Sequence, residues 1–149
     1  MRAVRDVMTP NPMVCPADAT LQVVAEKMRD EDTGFMPLVD TTTGKLCGVV
    51  TDRDLAVRAV ADGADPYRAT ARAYSSENLA IVAPGATLEE AIRIMADRQV
   101  RRLLVMDEGR AVGVVSLGDL ALTTPRQAEA VLVELSKSPR TLSHLRKAS

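Results

Sequence analysis

Two short segments carry side chains whose types and spacing could do chemistry: Thr51-Asp52-Arg53-Asp54 and Ser116-Leu117-Gly118-Asp119. In each, a hydroxyl precedes a carboxylate by one helical turn, at the expected start of a helix. A hydroxyl placed there lies beside free backbone N–H groups and the positive end of the helix dipole, which attract an anion. The carboxylate accepts from hydroxyls and repels phosphate, so it belongs on the alcohol-bearing side of a phosphorylated ligand. The same spacing is close to a capping box, in which both groups satisfy helix N–H donors and contribute about 1 kcal/mol. Capping and binding can coexist in one pair. Cations stand nearby: Arg53 inside the first pair, and Arg101 and Arg102 ahead of a strand that precedes the second. A planar guanidinium suits bidentate contact with phosphate. Adjacent strand residues face opposite ways, so one of Arg101 and Arg102 is expected to face the site and the other solvent.

No catalytic set accompanies these pairs. The only histidine, His144, lies in the C-terminal tail with no nucleophile or base beside it. No His, Cys and carboxylate cluster has metal-ligand spacing. Gly113 and Gly118 are spaced as in a phosphate-binding loop, but Asp119-Leu120 stands where Lys-Ser/Thr is needed. The expectation is a protein that is not an enzyme and requires no cofactor. Cys15 and Cys47 are too few for a disulfide framework, and reduced thiols are expected, with a contact between the two left open. A net charge of −1, with Phe35, Tyr67 and Tyr74 as the only aromatics, argues against a nucleic-acid partner. The longest apolar run, Leu79 to Ala83, falls far short of the roughly 20 residues of a membrane span. Asp6, Asp18, Glu26 and several prolines interrupt the first thirty residues, where a signal peptide would be apolar. A cytoplasmic protein with no membrane partner is expected. At 149 residues and 46% hydrophobic, the chain makes one globular domain, or two small ones sharing a core. A chain this long buries about 70% of its unfolded surface and needs no staple.

The elements that position the two pairs come from an internal repeat. Thr20 and Thr87, Met28 and Met95, and Asp40 and Asp107 are each 67 residues apart. Gly48-Val49-Val50-Thr51 returns as Gly113-Val114-Val115-Ser116, and Asp54-Leu55-Ala56 as Asp119-Leu120-Ala121, now at an offset of 65. Each copy starts with a short extended piece, Met13 to Cys15 or Ile81 to Ala83, ended by a proline. Thr20 and Thr87 look like helix N-caps, the second with a capping-box partner in Glu90. Leu21, Val24, Ala25 and Met28, and likewise Leu88, Ala91, Ile92 and Met95, make one apolar helix face. Two apolar runs joined by a turn follow: Phe35 to Val39 with Leu46 to Val50, and Leu103 to Met106 with Ala111 to Val115. They read as hairpins. A second helix opens near Thr51 or Ser116; the first such helix stops at Asp62-Gly63, with Gly63 at a C′ position. The fold class is mixed α/β, two β-α-β-β-α units expected to pack as a pseudo-twofold pair. Their boundaries are read as 7–62 and 74–124, with a linker at 63–73.

These segments resemble a tandem pair of cystathionine-β-synthase (CBS) domains over about residues 7 to 124. Val7-Met8-Thr9-Pro10 looks like the family's lead-in segment. Met36-Pro37-Leu38-Val39-Asp40 matches its apolar-Pro-apolar-apolar-Asp strand, and Gly48 to Leu55 its Gly-apolar-apolar-Thr-x-x-Asp-Leu ending. Leu104 stands where the family usually has proline. The resemblance implies a homodimer, and an adenine nucleotide or other adenosyl ligand bound in the cleft between paired domains. The Thr51 or Ser116 hydroxyl would contact phosphate, Asp54 or Asp119 would accept from the ribose diol, and Arg101 or Arg102 would favour phosphate. Gly34 and Phe35 replace those arginines in the first copy, so the two sites are expected to differ. Val14, Met36, Pro37, Ile81 and Val82 could sandwich a base, although most Met and Val residues are expected in the core. The function implied is a ligand-sensing regulatory module that signals in trans to an unidentified protein partner. The alternative is a structural or interaction dimer whose nucleotide site is vestigial.

The tail, residues 125–149, departs from the repeat. Thr124-Pro125 suits Ncap and N1 of a further helix, and Val131, Leu132 and Leu135 give it an apolar stripe. Its charge is +3, from Arg126, Lys137, Arg140, Arg146 and Lys147 against Glu129 and Glu134. It reads either as a docking helix for a partner or anionic surface, or as a helix packed on the module or its dimer mate.

Overall fold

The computed structural model describes residues 2–76 and 79–137. In chain order it holds α1 (Val4–Val7), β1 (Thr9–Pro10), β2 (Cys15–Pro16), α2 (Leu21–Asp30), β3 (Phe35–Val39), β4 (Leu46–Thr51), a π-helical turn (Asp54–Ala59), a 3-10 turn (Ala71–Tyr74), β5 (Ile81–Val82), α3 (Leu88–Arg98), β6 (Arg102–Asp107), β7 (Arg110–Ser116), α4 (Leu117–Ala121) and α5 (Pro125–Ser136). The class is mixed α/β with two sheets, as the repeat predicts. One compact unit comprises Pro12–Leu79 with Gly109–Ala111, the other Met1–Asn11, Ala80–Glu108 and Val112–Ser149.

The first-repeat unit is built on the sheet β2-β3-β4, with β2 parallel and β4 antiparallel to β3. Thr20 caps α2 as its sequence suggests, its hydroxyl accepting from Val23 N at 3.3 Å. Val24 and Met28 of α2 then reach a core of Cys15, Met36, Leu38, Val50 and Ala71. Ala25 remains exposed. The helix after β4 is π-type, with Val60 N donating to Leu55 O, five residues back, and it closes with Ala64 N donating to Ala59 O and Gly63 N to Val60 O. Gly63 has φ of 68°, the left-handed value expected of a C′ glycine. Cys15 is buried and Cys47 half-buried, the Cys47 thiol donating to Leu38 O at 3.5 Å. Burial pushes the Cys15 thiol up, partly offset by the Lys27 ammonium.

The second-repeat unit uses the sheet β1-β7-β6-β5. Thr87 caps α3, accepting from Glu90 N at 3.1 Å. The reciprocal carboxylate bond of a capping box is made at Ser116–Asp119. Leu88, Ala91, Ile92 and Met95 of α3 pack with Leu103, Val105, Val115 and Leu120, and α5 adds Ala128, Val131 and Leu135. The tail helix therefore packs within this unit. Thr124 precedes Pro125 as expected but makes no side-chain cap; its hydroxyl donates back to Leu120 O at 2.9 Å. Leu132, expected in the buried stripe, is 44% exposed. Arg140, His144, Arg146 and Lys147 lie outside the described residues.

The division of the chain differs from the one the repeat suggests. Residues 7–11, the opening of the first copy in sequence, group in space with the second-repeat unit: Thr9 and Pro10 pair antiparallel with Val114 and Gly113 of β7. Residues 63–73, read as a linker, pack inside the first unit. Leu21 N donates to Ala69 O and Ala71 N to Ala19 O, and Ala71 is fully buried. Residues 74–76 also stay there, where Ser76 bridges Val49 of β4. Each repeat's last strand thus takes as edge partner the segment that leads into the other repeat. This accounts for the shared glycine of Gly48-Val49-Val50 and Gly113-Val114-Val115. A Cβ at Gly113 would strike the Met8 sulfur and lie 3.1 Å from Thr9 O, and one at Gly48 would lie 3.0 Å from Ser75 Oγ.

Candidate functional site

In the first repeat, β4 ends at Thr51 and the chain turns at once into the π-helical segment. Thr51 N and Thr51 Oγ1 both donate to Asp54 Oδ2 at 2.9 Å, and Asp54 N donates back to Thr51 Oγ1 at 3.1 Å. Asp52 N donates to Gly34 O at 2.8 Å, and Arg53 N to Asp52 Oδ1 at 2.8 Å. Every N–H from Thr51 to Asp54 is therefore taken. The other Asp54 oxygen accepts from Arg58 Nη1 at 3.3 Å, with the Asp54 side chain 17% exposed. Arg58 also donates to Tyr74 O at 3.0 Å and lies over the Tyr74 ring, 5.6 Å from its centroid. The Tyr74 hydroxyl donates to Asp62 Oδ2 at 3.1 Å. Desolvation, and then the Asp62 carboxylate, hold that phenol above its usual range. The expected anion-attracting helix start is thus closed. Its donors and its carboxylate are consumed internally.

The second repeat starts from the same pattern and leaves more open. Ser116 N donates to Asp119 Oδ2 at 2.8 Å, and Asp119 N to Ser116 Oγ at 3.1 Å. Leu117 N donates to Arg101 O at 2.8 Å, the counterpart of Asp52 to Gly34. Among the described residues, the Gly118 N–H and the second Asp119 oxygen have no partner. A cavity of about 530 Å³ opens here, lined by Arg101, Arg102, Ser116, Leu117 and Gly118, with Ala121, Pro125, Ala128, Glu129 and Leu132 completing its wall. Both arginines line it, against the expectation that only one would. The alternation rule applies within a strand, and β6 begins at Arg102, so Arg101 sits in the bend before it. Both are exposed, and among the described residues neither is ion-paired. With α4 only five residues long, attraction for an anion rests on the arginines rather than on a helix dipole.

The other expected site residues divide by burial. Met36 is fully buried and Val82 is 5% exposed, and both are core residues. Pro37 is fully buried as well. Ile81 is exposed and Val14 half-buried. None of these lines the cavity, nor do Thr51, Arg53, Asp54 or Asp119. Arg58, Tyr74, Gly118, Glu129 and Leu132 were missed. Arg58 could have been found from its i,i+4 spacing to Asp54. Glu129 and Leu132 could have been found from the helical face Pro125, Ala128, Glu129, Leu132.

The CBS domain profile matches residues 4–60 and 71–123. Hypoxic response protein 1 of Mycobacterium tuberculosis is 33% identical over 143 residues, covering 96% of this chain and 99% of that protein. The CBS domain-containing protein YhcV of Bacillus subtilis is 38% identical over 122 residues, 82% of this chain and 85% of that one. A crystal structure of Hypoxic Response Protein I with two coordinated zinc ions superimposes with a TM-score of 0.74 at 33% identity, over 83% of this chain and 100% of the other. The CBS domain protein PAE2072 from Pyrobaculum aerophilum, complexed with AMP, superimposes with a TM-score of 0.73 over 92% of this chain and 100% of the other. At 24% identity that likeness is one of fold. Zinc is held by sets of Cys, His and carboxylate side chains. Among the described residues no three such groups come together to hold a metal. Among them too, no helix is long and apolar enough to cross a membrane.

Proposed function

Since the chain belongs to the CBS domain family, we propose that it is a regulatory module that senses an adenosyl compound of the AMP, ADP, ATP or S-adenosylmethionine class. The observation that carries this reading is the cavity beside Ser116 and Gly118, faced by two arginines with no ion-pair partner among the described residues. Its volume of about 530 Å³ lies within the range of small-ligand sites. Arg101 and Arg102 hold the phosphate, joined by the Gly118 N–H and the Ser116 hydroxyl. The complex of PAE2072 with AMP gives the ligand class precedent in this fold. The Thr51–Asp54 pair of the first repeat acts as a helix cap, since its donors are already spent. The protein works as a cytoplasmic homodimer and passes its response to a separate protein.

The test is a thermal-shift screen of the purified chain with AMP, ADP, ATP, S-adenosylmethionine and nicotinamide dinucleotide. A ligand at about 100 times its Kd adds about 2.7 kcal/mol of stability, a rise of several degrees for a chain this size. No rise with any of the five contradicts the reading and favours the interaction-dimer alternative.

A further inference from the structure

The cavity has a wall that the repeat does not supply. Pro125, Ala128, Glu129 and Leu132 line it, at positions i, i+3, i+4 and i+7 along one face of α5. The adjoining face of the same helix, Ala128, Val131 and Leu135, is buried in the unit's core. Helix α5 is thus fixed by one face and presents the other to the cavity. Leu132 explains itself in this light: 44% exposed, it looks misplaced for a core residue but suits an apolar wall. Glu129 is the one carboxylate in the lining, while Asp119, the expected acceptor, is absent from it. Neither arginine forms an ion pair with Glu129 among the described residues. The lining therefore keeps two cations and one anion apart, around a largely apolar surface of Leu117, Ala121, Pro125, Ala128 and Leu132.

The geometry points to α5 as part of the ligand site, with Glu129 as its specificity-determining residue. This inference rests on the proposed function. The ligand is a phosphate monoester whose apolar ring lies on the Leu132 face of α5. Its hydroxyl groups donate to Glu129 while Arg101 and Arg102 hold the phosphate. A nucleoside monophosphate has that distribution of charge, ring and donors. Inorganic phosphate has only the anionic part.

The test is calorimetric titration of the full chain with AMP, with 2′,3′-dideoxyadenosine monophosphate and with inorganic phosphate, for the wild type and for Leu132→Trp, Val133→Trp and Glu129→Ala. Val133 is the control, being 45% exposed on the same helix and outside the lining. Wild type is expected to prefer AMP over the dideoxy analogue by about tenfold or more, the usual worth of a hydrogen bond to a charged group. Glu129→Ala should bring the two ligands within about twofold, and inorganic phosphate should bind it as it binds the wild type. Leu132→Trp should weaken AMP by about tenfold or more and Val133→Trp should leave it unchanged. If Leu132→Trp binds AMP like wild type, or if both tryptophan variants weaken it equally, α5 is not a wall of the site. If Glu129→Ala keeps the preference for AMP, Glu129 is not the specificity residue. Either result leaves the adenosyl reading standing. If wild type binds none of the adenosyl compounds, that reading falls and this inference with it.

Discussion

The two hydroxyl–carboxylate pairs descend from one repeated pattern and end in different chemical states. At Thr51–Asp54 each backbone donor has an acceptor and the carboxylate is shared between a cap and Arg58. At Ser116–Asp119 the cap forms the same way, yet two arginines face open space beside it. The difference traces to a few substitutions. Where the second repeat has Arg101 and Leu117, the first has Gly34 and Asp52. A Cβ on Gly34 would lie 2.6 Å from Asp52 Oδ2, so that carboxylate fills the space beside residue 34. Thr123, the counterpart of Arg58, carries no charge to neutralise Asp119. A cap motif tells where a helix starts; whether it can also bind is decided by which neighbours already use its donors.

The largest effect should come from making the second site resemble the first. Replacing Arg101 and Arg102 together by alanine removes two charge-assisted contacts and should weaken AMP by about a hundredfold or more in calorimetry. Next is the edge-strand packing that both repeats share. Gly113→Ala should destabilise the chain by about 1–3 kcal/mol in urea denaturation, because the clash includes backbone at Thr9. Gly48→Ala should cost less, since its nearest contact is the Ser75 hydroxyl. An equal effect at both glycines would show that the two edges are equivalent. The caps come third. Asp54→Ala should lower stability by about 1–2 kcal/mol, losing the Thr51 bonds and the Arg58 ion pair, and Asp119→Ala by about 1 kcal/mol. The reverse order would contradict the description of Asp54 as the more engaged carboxylate.

The smallest effect concerns the hairpin turns. Asp40 accepts from Thr42 N at 2.8 Å and Thr43 N at 3.1 Å, and these bonds hold its carboxyl below the usual range. A lowered carboxyl contributes stability that is present above the ordinary value of about 3.9 and is lost as pH falls through the lowered one. Asp40→Asn should therefore flatten the acid limb of a urea-denaturation series between pH 6 and pH 3, and an unchanged limb would refute this role. The second hairpin uses another device, with Glu108 at φ 51° and Gly109 at φ 80°. That is the left-handed pair of a two-residue turn, which accounts for the two residues missing from the second copy.

Much of this was legible in the sequence, because local rules govern it. The caps at Thr20 and Thr87, the apolar faces of α2 (Ala25 excepted) and α3, both hairpins and the C′ glycine at Gly63 follow from residue type and spacing over fewer than ten positions. What was not legible depends on contacts far apart in the chain. The exchange of lead-in segments between repeats leaves no local signature except the glycines that permit it. The pairing of both arginines with one cavity depended on where β6 starts, a matter of a single residue. The wall supplied by α5 required knowing which of two apolar faces the core takes. The base-sandwich candidates Met36 and Val82 are buried in the cores, and apolarity alone does not separate a ligand surface from an interior.

The proposed function gives the chain one anion site, in the second repeat, and a cap in the first. The direct measurement is the calorimetric stoichiometry of AMP for the wild type, for Arg101→Ala/Arg102→Ala and for Asp54→Asn. The account predicts one AMP per chain, lost in the arginine double variant and kept in Asp54→Asn. Two equivalent AMP per chain, or binding that survives loss of both arginines and disappears with Asp54, would contradict it.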